Sequence, residues 1–425
     1  MFIKELILLI CSSIILAELH HGPTHPIKQI LKSQMNSSVE EAFKIWHFLH
    51  KRDYKINSEV GKIRFENFKK NFEIIKSHNS KLEKSYSLGL NNFADLTVGE
   101  FHKKYLFNNK VFFHQNLKTT SKNISQDKLN NSQRQKENEE LIQIKSKKEF
   151  YNLFWNIPEE EDEPFLNLLT DTKKQESKKK SLKFLDSSAS NNNETTKYDT
   201  VNWILNGTLN QYVEQQGECG SCWAFSAAQA VQAAYSIKTG ISQKFSKQQL
   251  VDCDMQSDAC NGGFPHYAME YIKKNGLLNE DDYPYKSDMT EEYKKDCVFD
   301  KFELAKKNAS VKIKDFEYCI DKDDCKTDQG LFDMLSRGPL SAVVDASEEF
   351  MLYENGIFDK PCSEMNHAIL VAGYHKAEKK EEDSYWIIKN SWGFLWGDHG
   401  YIKIKHGENY NSCLVNQYYL RPILE

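Results

Sequence analysis

The stretch QQGECGSCWAFSAAQAVQAAYSI, Gln215 to Ile237, decides the fold. Gly217, Gly220 and Ser221 make a tight polar turn, and from Trp223 onward the residues are alanine-rich at helical spacing. A turn feeding a helix puts Cys222 at the helix N-terminus. There the macrodipole and the free backbone N–H groups favour a thiolate over a thiol. Such a place suits a nucleophile and equally a buried structural cysteine, and the local sequence does not choose between them.

Two later segments bear on that choice. Asn366 and His367 open an apolar run, NHAILVAGY, which reads as a strand with His367 at its start. KNSWGFLWG then supplies Asn390, with Trp392 and Trp396 close by. A general base distant in sequence can reach a nucleophile from a second element. An Asn accepting from the imidazole would fix its tautomer, and a neighbouring indole would shield that bond from water. Taken singly, a His at a strand start is usually structural and an Asn before Ser-Trp is usually a turn residue. The three in this order point to thiol chemistry.

Around these segments lie 425 residues, which predict two or three structural units. The hydrophobic fraction is 40% and the charged fraction 28%, so a sizeable core must coexist with a poorly apolar region. With 56 basic and 61 acidic side chains the net charge is −5, which argues against a dedicated nucleic-acid binder. No apolar run of about 20 residues follows the N-terminus, which excludes a polytopic membrane protein. Nine of the ten cysteines lie beyond residue 200, a clustering that indicates an oxidising compartment or thiol chemistry.

The N-terminus, MFIKELILLICSSIILA, places Lys4 before an apolar stretch from Leu6 to Ala17. This has signal-peptide length and is too short to span a bilayer; the alternative is a buried N-terminal helix. Sequons at Asn36, Asn123, Asn130, Asn193, Asn206 and Asn308 fit entry into the secretory pathway. Loss of Cys11 with a leader over 1–17 leaves nine cysteines, an odd number.

Residues 38–102 are charged and periodic. Arg64, Phe68, Asn71, Ile75 and Asn79 fall on one helical stripe, with Phe65, Phe72 and Ile74 beside it. Gly89, Asn91, Phe93 and Asp95 then alternate as in an extended strand. Residues 103–196 are rich in Lys, Asn, Ser, Glu and Gln, with a run EEEDE from Glu159 to Glu163, and they predict a disordered tether. Phe150–Trp155 and Phe165–Leu169 are apolar patches within it that could form short docking helices. From Lys197 the glycines, cysteines and strand-like runs return, and 197–425 predicts a two-lobed domain of about 229 residues.

QGxCGSCWAFS, CNGG, GPLS, NHA and KNSWG occur in this order between Val201 and Pro422. On these motifs the chain resembles the papain-like cysteine proteases, the cathepsin L group in particular, and 42–101 resembles their pro-region. The resemblance implies an α+β, papain-like two-lobed fold: a helical left lobe, a β-barrel-like right lobe and a cleft between, preceded by a mainly helical inhibitory prodomain. It implies Cys222 as the nucleophile and His367 as its base, held as a thiolate–imidazolium pair, with Asn390 orienting the imidazole. Gln216 matches the oxyanion-hole side chain, and Trp392 the indole over the His–Asn contact. Family spacing implies disulfides Cys219–Cys260, Cys253–Cys297 and Cys362–Cys413. Cys319 and Cys325, in CIDKDDC, pair by elimination; the rival metal site would have a carboxylate-rich ligand set without His, so no metal and no cofactor is expected.

By the same resemblance Gly262 and Gly263 present backbone to an extended peptide. Phe264, Pro265, Val343, Met365 and Tyr418 would line the pocket for the second residue before the scissile bond. An apolar side chain is expected there, with Tyr418 making the pocket shallow. The partners implied are polypeptide substrates and the chain's own prodomain, with no nucleic acid and no stable membrane insertion, and the enzyme is expected to be a monomer. The compartment expected is the secretory pathway, ending in a lysosome or acidic vacuole or outside the cell.

Two features depart from the family. The pro-region helix carries Val60 where the family has a Glu four residues before Arg64, leaving a salt bridge without its carboxylate. The long tether predicts a labile connection cut near Asn191 to Lys197. The charge divides unevenly: 197–425 holds 25 basic and 36 acidic residues, −11, and 1–196 carries +6, so a basic pro-region would attract an acidic enzyme. The competing readings are a catalytically silent binding homologue, which would normally lack the nucleophile, and an exopeptidase or peptide ligase on the same fold. No paired-histidine blocking loop is visible after Cys297, which disfavours the exopeptidase.

Overall fold

The computed structural model describes residues 26–107, 200–286, 297, 310–320, 325–346, 348–377, 384–407 and 412–424. The leader expected over 1–17, the patches at 150–155 and 165–169 and the cut expected at 191–197 lie outside the described residues. Residues 26–107 and the described residues from 200 onward belong to one compact unit.

The N-terminal part is helical: α1 (Pro26–Ser33), α2 (Val39–Leu49), α3 (Glu59–Asn79), a short strand β1 (Tyr86–Leu88) and α4 (Val98–Tyr105). Each longer helix starts where a side chain can satisfy its free N–H groups. Ser38 and Ser58 accept from the N–H of Glu41 and Gly61, and Thr97 with Glu100 forms a reciprocal capping box. Phe68, Asn71, Phe72 and Ile75 lie on the buried face of α3, and the rings of Phe43 and Trp46 of α2 pack tilted against Phe68 at 5.1 and 5.3 Å. Asn71 belongs on that face because its amide donates to the carbonyls of Ala94 and Leu96, both at 2.9 Å.

Two expectations change here. The alternation at 89–95 is not a strand. The strand ends at Leu88, and Asn91 Oδ1 accepts from the Phe93 N–H at 3.0 Å to start a turn. Asn91, Phe93 and Asp95 are all buried, so the alternation recorded burial rather than extension. Nor does Arg64 lack a carboxylate. Val60 is exposed, and Glu100 of α4 pairs with Arg64 at 2.9 Å.

The C-terminal part contains β2 (Thr200–Asn202), α5 (Cys222–Thr239), α6 (Lys247–Cys253), α7 (Pro265–Asn275), β3 (Ile313–Cys319), α8 (Asp328–Leu335), β4 (Leu340–Val344), α9 (Glu348–Met351) and β5 (Tyr353–Phe358). It ends with β6 (His367–His375), β7 (Tyr385–Lys389), β8 (Tyr401–Lys405) and β9 (Tyr419–Leu424). The strand order is β1-β5-β8-β7-β6-β4-β9-β3, with β2 paired to β6. Among the described pairings only β5–β8 is parallel.

One core gathers round α5. Its alanines at 224, 227, 228, 230 and 233 are fully buried and let the helix approach Ala368 and Leu370 of β6 closely, with Leu250, Met269 and Ile272 closing the lobe. The other core lies in the sheet, with Trp386, Ile388, Ile402 and Phe350, and continues into Trp46, Phe68 and Phe93 of the N-terminal part. This is the mixed α+β, two-lobed architecture with its N-terminal helical unit seated on the sheet lobe. Cys219–Cys260, Cys253–Cys297, Cys319–Cys325 and Cys362–Cys413 are bonded.

The N-terminal part joins the sheet edge: Tyr86 lies opposite Gly356 and Leu88 opposite Tyr353, antiparallel. Gly356 has φ +95°, and a Cβ there would fall 2.4 Å from the Ser85 carbonyl oxygen, so the close approach of β1 requires a glycine. The described part of the helical unit starts at Pro26, ahead of residue 38. Residues 103–107, assigned to the tether by composition, finish α4 and continue onto the C-terminal part.

Candidate active site

Cys222 is the first residue of α5, the only free cysteine among the described residues, and fully buried. The Cys219–Cys260 bridge fixes the chain just before it. Gly220 passes so close to the Cys260 carbonyl that a Cβ would sit 2.6 Å from its oxygen. The sulfur lies within hydrogen-bonding reach of the Ala368 backbone, next to His367.

His367 opens β6 opposite Val344 of β4. Its Nε2 lies 2.8 Å from Asn390 Oδ1, in the turn that follows β7. The Trp392 ring stacks on the imidazole at 4.4 Å and 27°, and Trp396 meets Trp392 edge-on at 4.8 Å. His367 Nδ1 is buried and makes no hydrogen bond among the described residues. Asn390 takes one ring nitrogen and leaves the other for a partner such as a thiol.

Gln216 is fully buried. Its backbone N–H donates to the Ser391 carbonyl at 2.9 Å, and the Ser391 hydroxyl donates to its Oε1 at 2.7 Å. With the oxygen held, Nε2 points the other way and donates to the carbonyls of Cys219 at 2.8 Å and Tyr105 at 2.9 Å. Tyr105 comes from α4, so a carbonyl of the N-terminal unit occupies the donor of this site.

The same segment reaches the apolar pocket. The Phe107 N–H donates to the Asn366 carbonyl at 3.0 Å, and the Phe107 ring packs on Phe264 at 5.1 Å. Phe107, Phe264, Val343, Ala368 and Tyr418 share one buried cluster, with Met365 packed against it. Pro265 starts α7. Gly262 has φ +127°, and a Cβ on Gly263 would collide with Ser257 and the Trp223 ring, so both positions keep the backbone bare. The Tyr418 hydroxyl lies 2.6 Å from His266 Nδ1.

Burial sets the protonation states in this closed form. It pushes the Cys222 thiol up to about 12 and the His367 imidazole down to about 4, the second opposed by the bond to Asn390. Both directions favour a neutral thiol beside a neutral imidazole while the cleft is covered.

Sequence reasoning missed Phe107 and His266, and it missed Glu100 as the partner of Arg64. The apolar triplet Tyr105-Leu106-Phe107, just before the composition turns polar, was the available signal for the covering segment.

The profile described as "Papain family cysteine protease" matches residues 156–423, and "Cathepsin propeptide inhibitor domain (I29)" matches 43–101. Caricain from Carica papaya is 31% identical over 360 residues, 84% of this chain and 79% of that one. Fruit bromelain from Ananas comosus is 28% identical over 398 residues, 93% and 89% of the two chains. Among solved structures, the proform of the ragweed pollen cysteine protease Amb a 11 aligns with TM-score 0.64 at 26% identity, covering 92% of this chain and 97% of that one.

Proposed function

The chain belongs to the papain family of cysteine proteases and carries an N-terminal inhibitor domain, and from that premise we propose that it is a secretory-pathway endopeptidase made as a zymogen. The observation that carries this reading is the Tyr105 carbonyl of the chain's own N-terminal unit on the Gln216 amide donor, with His367 bonded to Asn390 and the Cys222 sulfur at the backbone of Ala368, the residue after His367. Once the cover is gone, the Cys222 thiolate adds to the scissile carbonyl carbon and a C–S bond forms. The carbonyl electron pair moves to oxygen, facing Gln216 Nε2 and the Cys222 N–H. One such donor is worth about 10²–10³ in rate. The pair then returns, the C–N bond breaks, and His367 gives its proton to the leaving nitrogen. His367 next takes a proton from water as that water adds to the thioester, and the Cys222 thiolate leaves.

The covering segment escapes cleavage by its direction. Tyr105 lies at the Gln216 donor and Phe107 in the apolar pocket, so the chain runs from the reacting centre toward the pocket. A substrate runs the other way, because its pocket residue precedes the scissile bond. Reversed, the segment fills both subsites without presenting a correctly oriented bond.

The test is acid processing of the purified zymogen, a thiol-directed active-site label and a fluorogenic peptide library. The label should modify Cys222, and cleavage should favour an apolar residue two before the scissile bond. Failure to label the processed protein would leave a silent homologue; strong cleavage after Arg-Arg pairs would refute the pocket assignment.

Acid should release the cover through the N-terminal unit itself. His50 is half-buried against Trp46 at 5.0 Å, with Arg52 nearby, and its buried Nε2 has no hydrogen bond among the described residues. Burial first, and the Arg52 charge second, lower its pKa to about 3. Between that value and the ordinary 6.5 the unfolded unit binds more protons, so stability is full above 6.5 and falls as pH drops toward 3. Glu354 acts in the opposite sense: burial raises its pKa despite Lys28, so its protonation favours the closed form. We expect His50→Phe to shift the pH of half-maximal processing downward by about half a unit or more. An unchanged midpoint would remove His50 from the release step.

Secretory entry predicts a glycan. Asn206 is exposed in a turn where its Oδ1 accepts from the Thr208 N–H at 3.1 Å, the sequon's own hydroxyl residue. Protein from a eukaryotic secretory host should lose one glycan mass on Asn206→Gln, read by mass spectrometry with and without glycosidase. An unmodified Asn206 in secreted protein would contradict the prediction.

A further inference from the structure

Ser221 breaks a local rule. It stands at the N-cap of α5, where a serine normally accepts a hydrogen bond from the first turn, yet its side chain makes no capping bond. Its hydroxyl instead lies 2.7 Å from the Tyr285 hydroxyl. That same Tyr285 hydroxyl donates to the Gln216 carbonyl at 2.7 Å. A carbonyl can only accept, and a phenol has one proton, so the direction is fixed: Ser221 Oγ–H donates to Tyr285 Oη, and Tyr285 Oη–H donates to Gln216 O.

The two ends of this relay are the two sides of the oxyanion site. Gln216 carries the amide donor, and Ser221 immediately precedes Cys222, whose backbone N–H is the other donor. Among the described residues no hydrogen bond joins Gln216 directly to Ser221; Tyr285 bridges them from a loop 69 and 64 residues away in sequence. The bridge is itself held. The Tyr285 ring meets Phe225 of α5 edge-on at 4.7 Å, and its N–H donates to Glu280 Oε1 at 2.9 Å. Glu280 is one of two carboxylates on the buried Lys247, the other being Glu214, two residues before Gln216.

We propose that Tyr285, acting with Ser221, is a positioning residue that sets the spacing of the two oxyanion donors, Gln216 Nε2 and the Cys222 N–H. The proposal rests on the oxyanion role assigned above to those two groups. Local rules that fail at one residue tend to fail for function, and a cap serine diverted to a half-buried tyrosine is such a failure. A donor pair must match the position the oxygen takes in the transition state. An error of about 1 Å can cost about 10² in rate.

The test uses full-length zymogen, activated after folding, carrying Tyr285→Phe, Ser221→Ala, both, or Gln216→Ala as reference. Tyr285→Phe deletes one oxygen and keeps the ring on Phe225; Ser221→Ala offers a second, smaller change should the first fold poorly. Each single variant should lower kcat roughly tenfold, a fraction of the loss for a whole donor, with KM within about twofold. The double variant should be no worse than either single, because both cut one relay. Affinity for a peptide aldehyde, whose hemithioacetal oxygen enters the same site, should fall in step with kcat. Alkylation of Cys222 by iodoacetamide, which needs no oxyanion site, should keep its wild-type rate. Unchanged kcat in both single variants, or alkylation falling together with kcat, would overturn the proposal. If Gln216→Ala itself leaves kcat and aldehyde affinity intact, the oxyanion assignment fails instead.

Discussion

Iodoacetamide should alkylate Cys222 at least about 10³ times more slowly in the intact zymogen than in the processed enzyme at pH 7. In the closed form the thiol is fully buried and pushed up to about 12. Five units below that value only about one part in 10⁵ is thiolate, and thiolate is the reacting species. His367 gives no help there, since burial lowers its own pKa to about 4 and a neutral imidazole cannot stabilise the anion. Removing Tyr105–Phe107 should reverse both effects. Water should then reach both groups, desolvation should fall, and the sulfur at the α5 N-terminus should ionise, as thiols in such settings do at about 3.5–7.5. Two factors hold the expected ratio below 10⁵. A low-pKa thiolate is the weaker nucleophile, and brief opening of the cover gives the zymogen a background rate. The pH profiles should differ too. The zymogen rate should climb with pH across the neutral range, and the processed rate should be flat there. The label is followed by mass spectrometry on gel-verified intact protein, with Cys222→Ala as the control that takes none and does not process itself. Equal rates in the two forms would mean that the covering segment does not hold the thiol neutral.

What the sequence disclosed and what it withheld divide by locality. The helix at Cys222 and the strand at His367 were legible because glycine turns, alanine spacing and an apolar run are local signals. The pairing of His367 with Asn390 spans 23 residues and came from motif order. The region 89–95 misled because burial at alternate positions is shared by strands and by Asx turns anchored on a helix, and Asn71 bonding to Ala94 and Leu96 has no sequence mark. The exchange of the expected Glu for Glu100 was invisible for the same reason: a charge partner is defined in space, and Glu100 lies 36 positions from Arg64. Tyr285 is the extreme case. A tyrosine in a loop carries no signal until its hydroxyl is seen between two backbone segments far from it.

Phe107 makes the strongest claim on a residue that composition assigned to a tether. Replacing it with alanine should raise the Cys222 alkylation rate of the intact zymogen at pH 7 by about 10²–10³. The ring is 4% exposed and packs on Phe264 in the pocket that also holds Val343 and Tyr418. Truncating a buried Phe to Ala typically costs about 3–5 kcal/mol, and about 1.4 kcal/mol is a factor of ten in an equilibrium. That cost falls on the closed form alone, because the ring is solvated once the segment lifts. The backbone contacts remain, since the Phe107 N–H to Asn366 and the Tyr105 carbonyl to Gln216 do not use the side chain. The segment should therefore keep its course while its hold weakens. Phe107→Leu, which keeps most of the apolar volume, should change the rate less than about tenfold. Lys104→Ala serves as the electrostatic comparison. Its partner Glu218, at 2.9 Å, lies on the solvent side and is more than half exposed. Pairs of this kind are worth about 0–1 kcal/mol, so this change should be at most about fivefold. The order Phe107→Ala, then Phe107→Leu, then wild type would mark pocket filling as what keeps the cleft shut. A Phe107→Ala zymogen no more reactive than Lys104→Ala would place the inhibition in the helical unit and in β1 on the sheet edge instead.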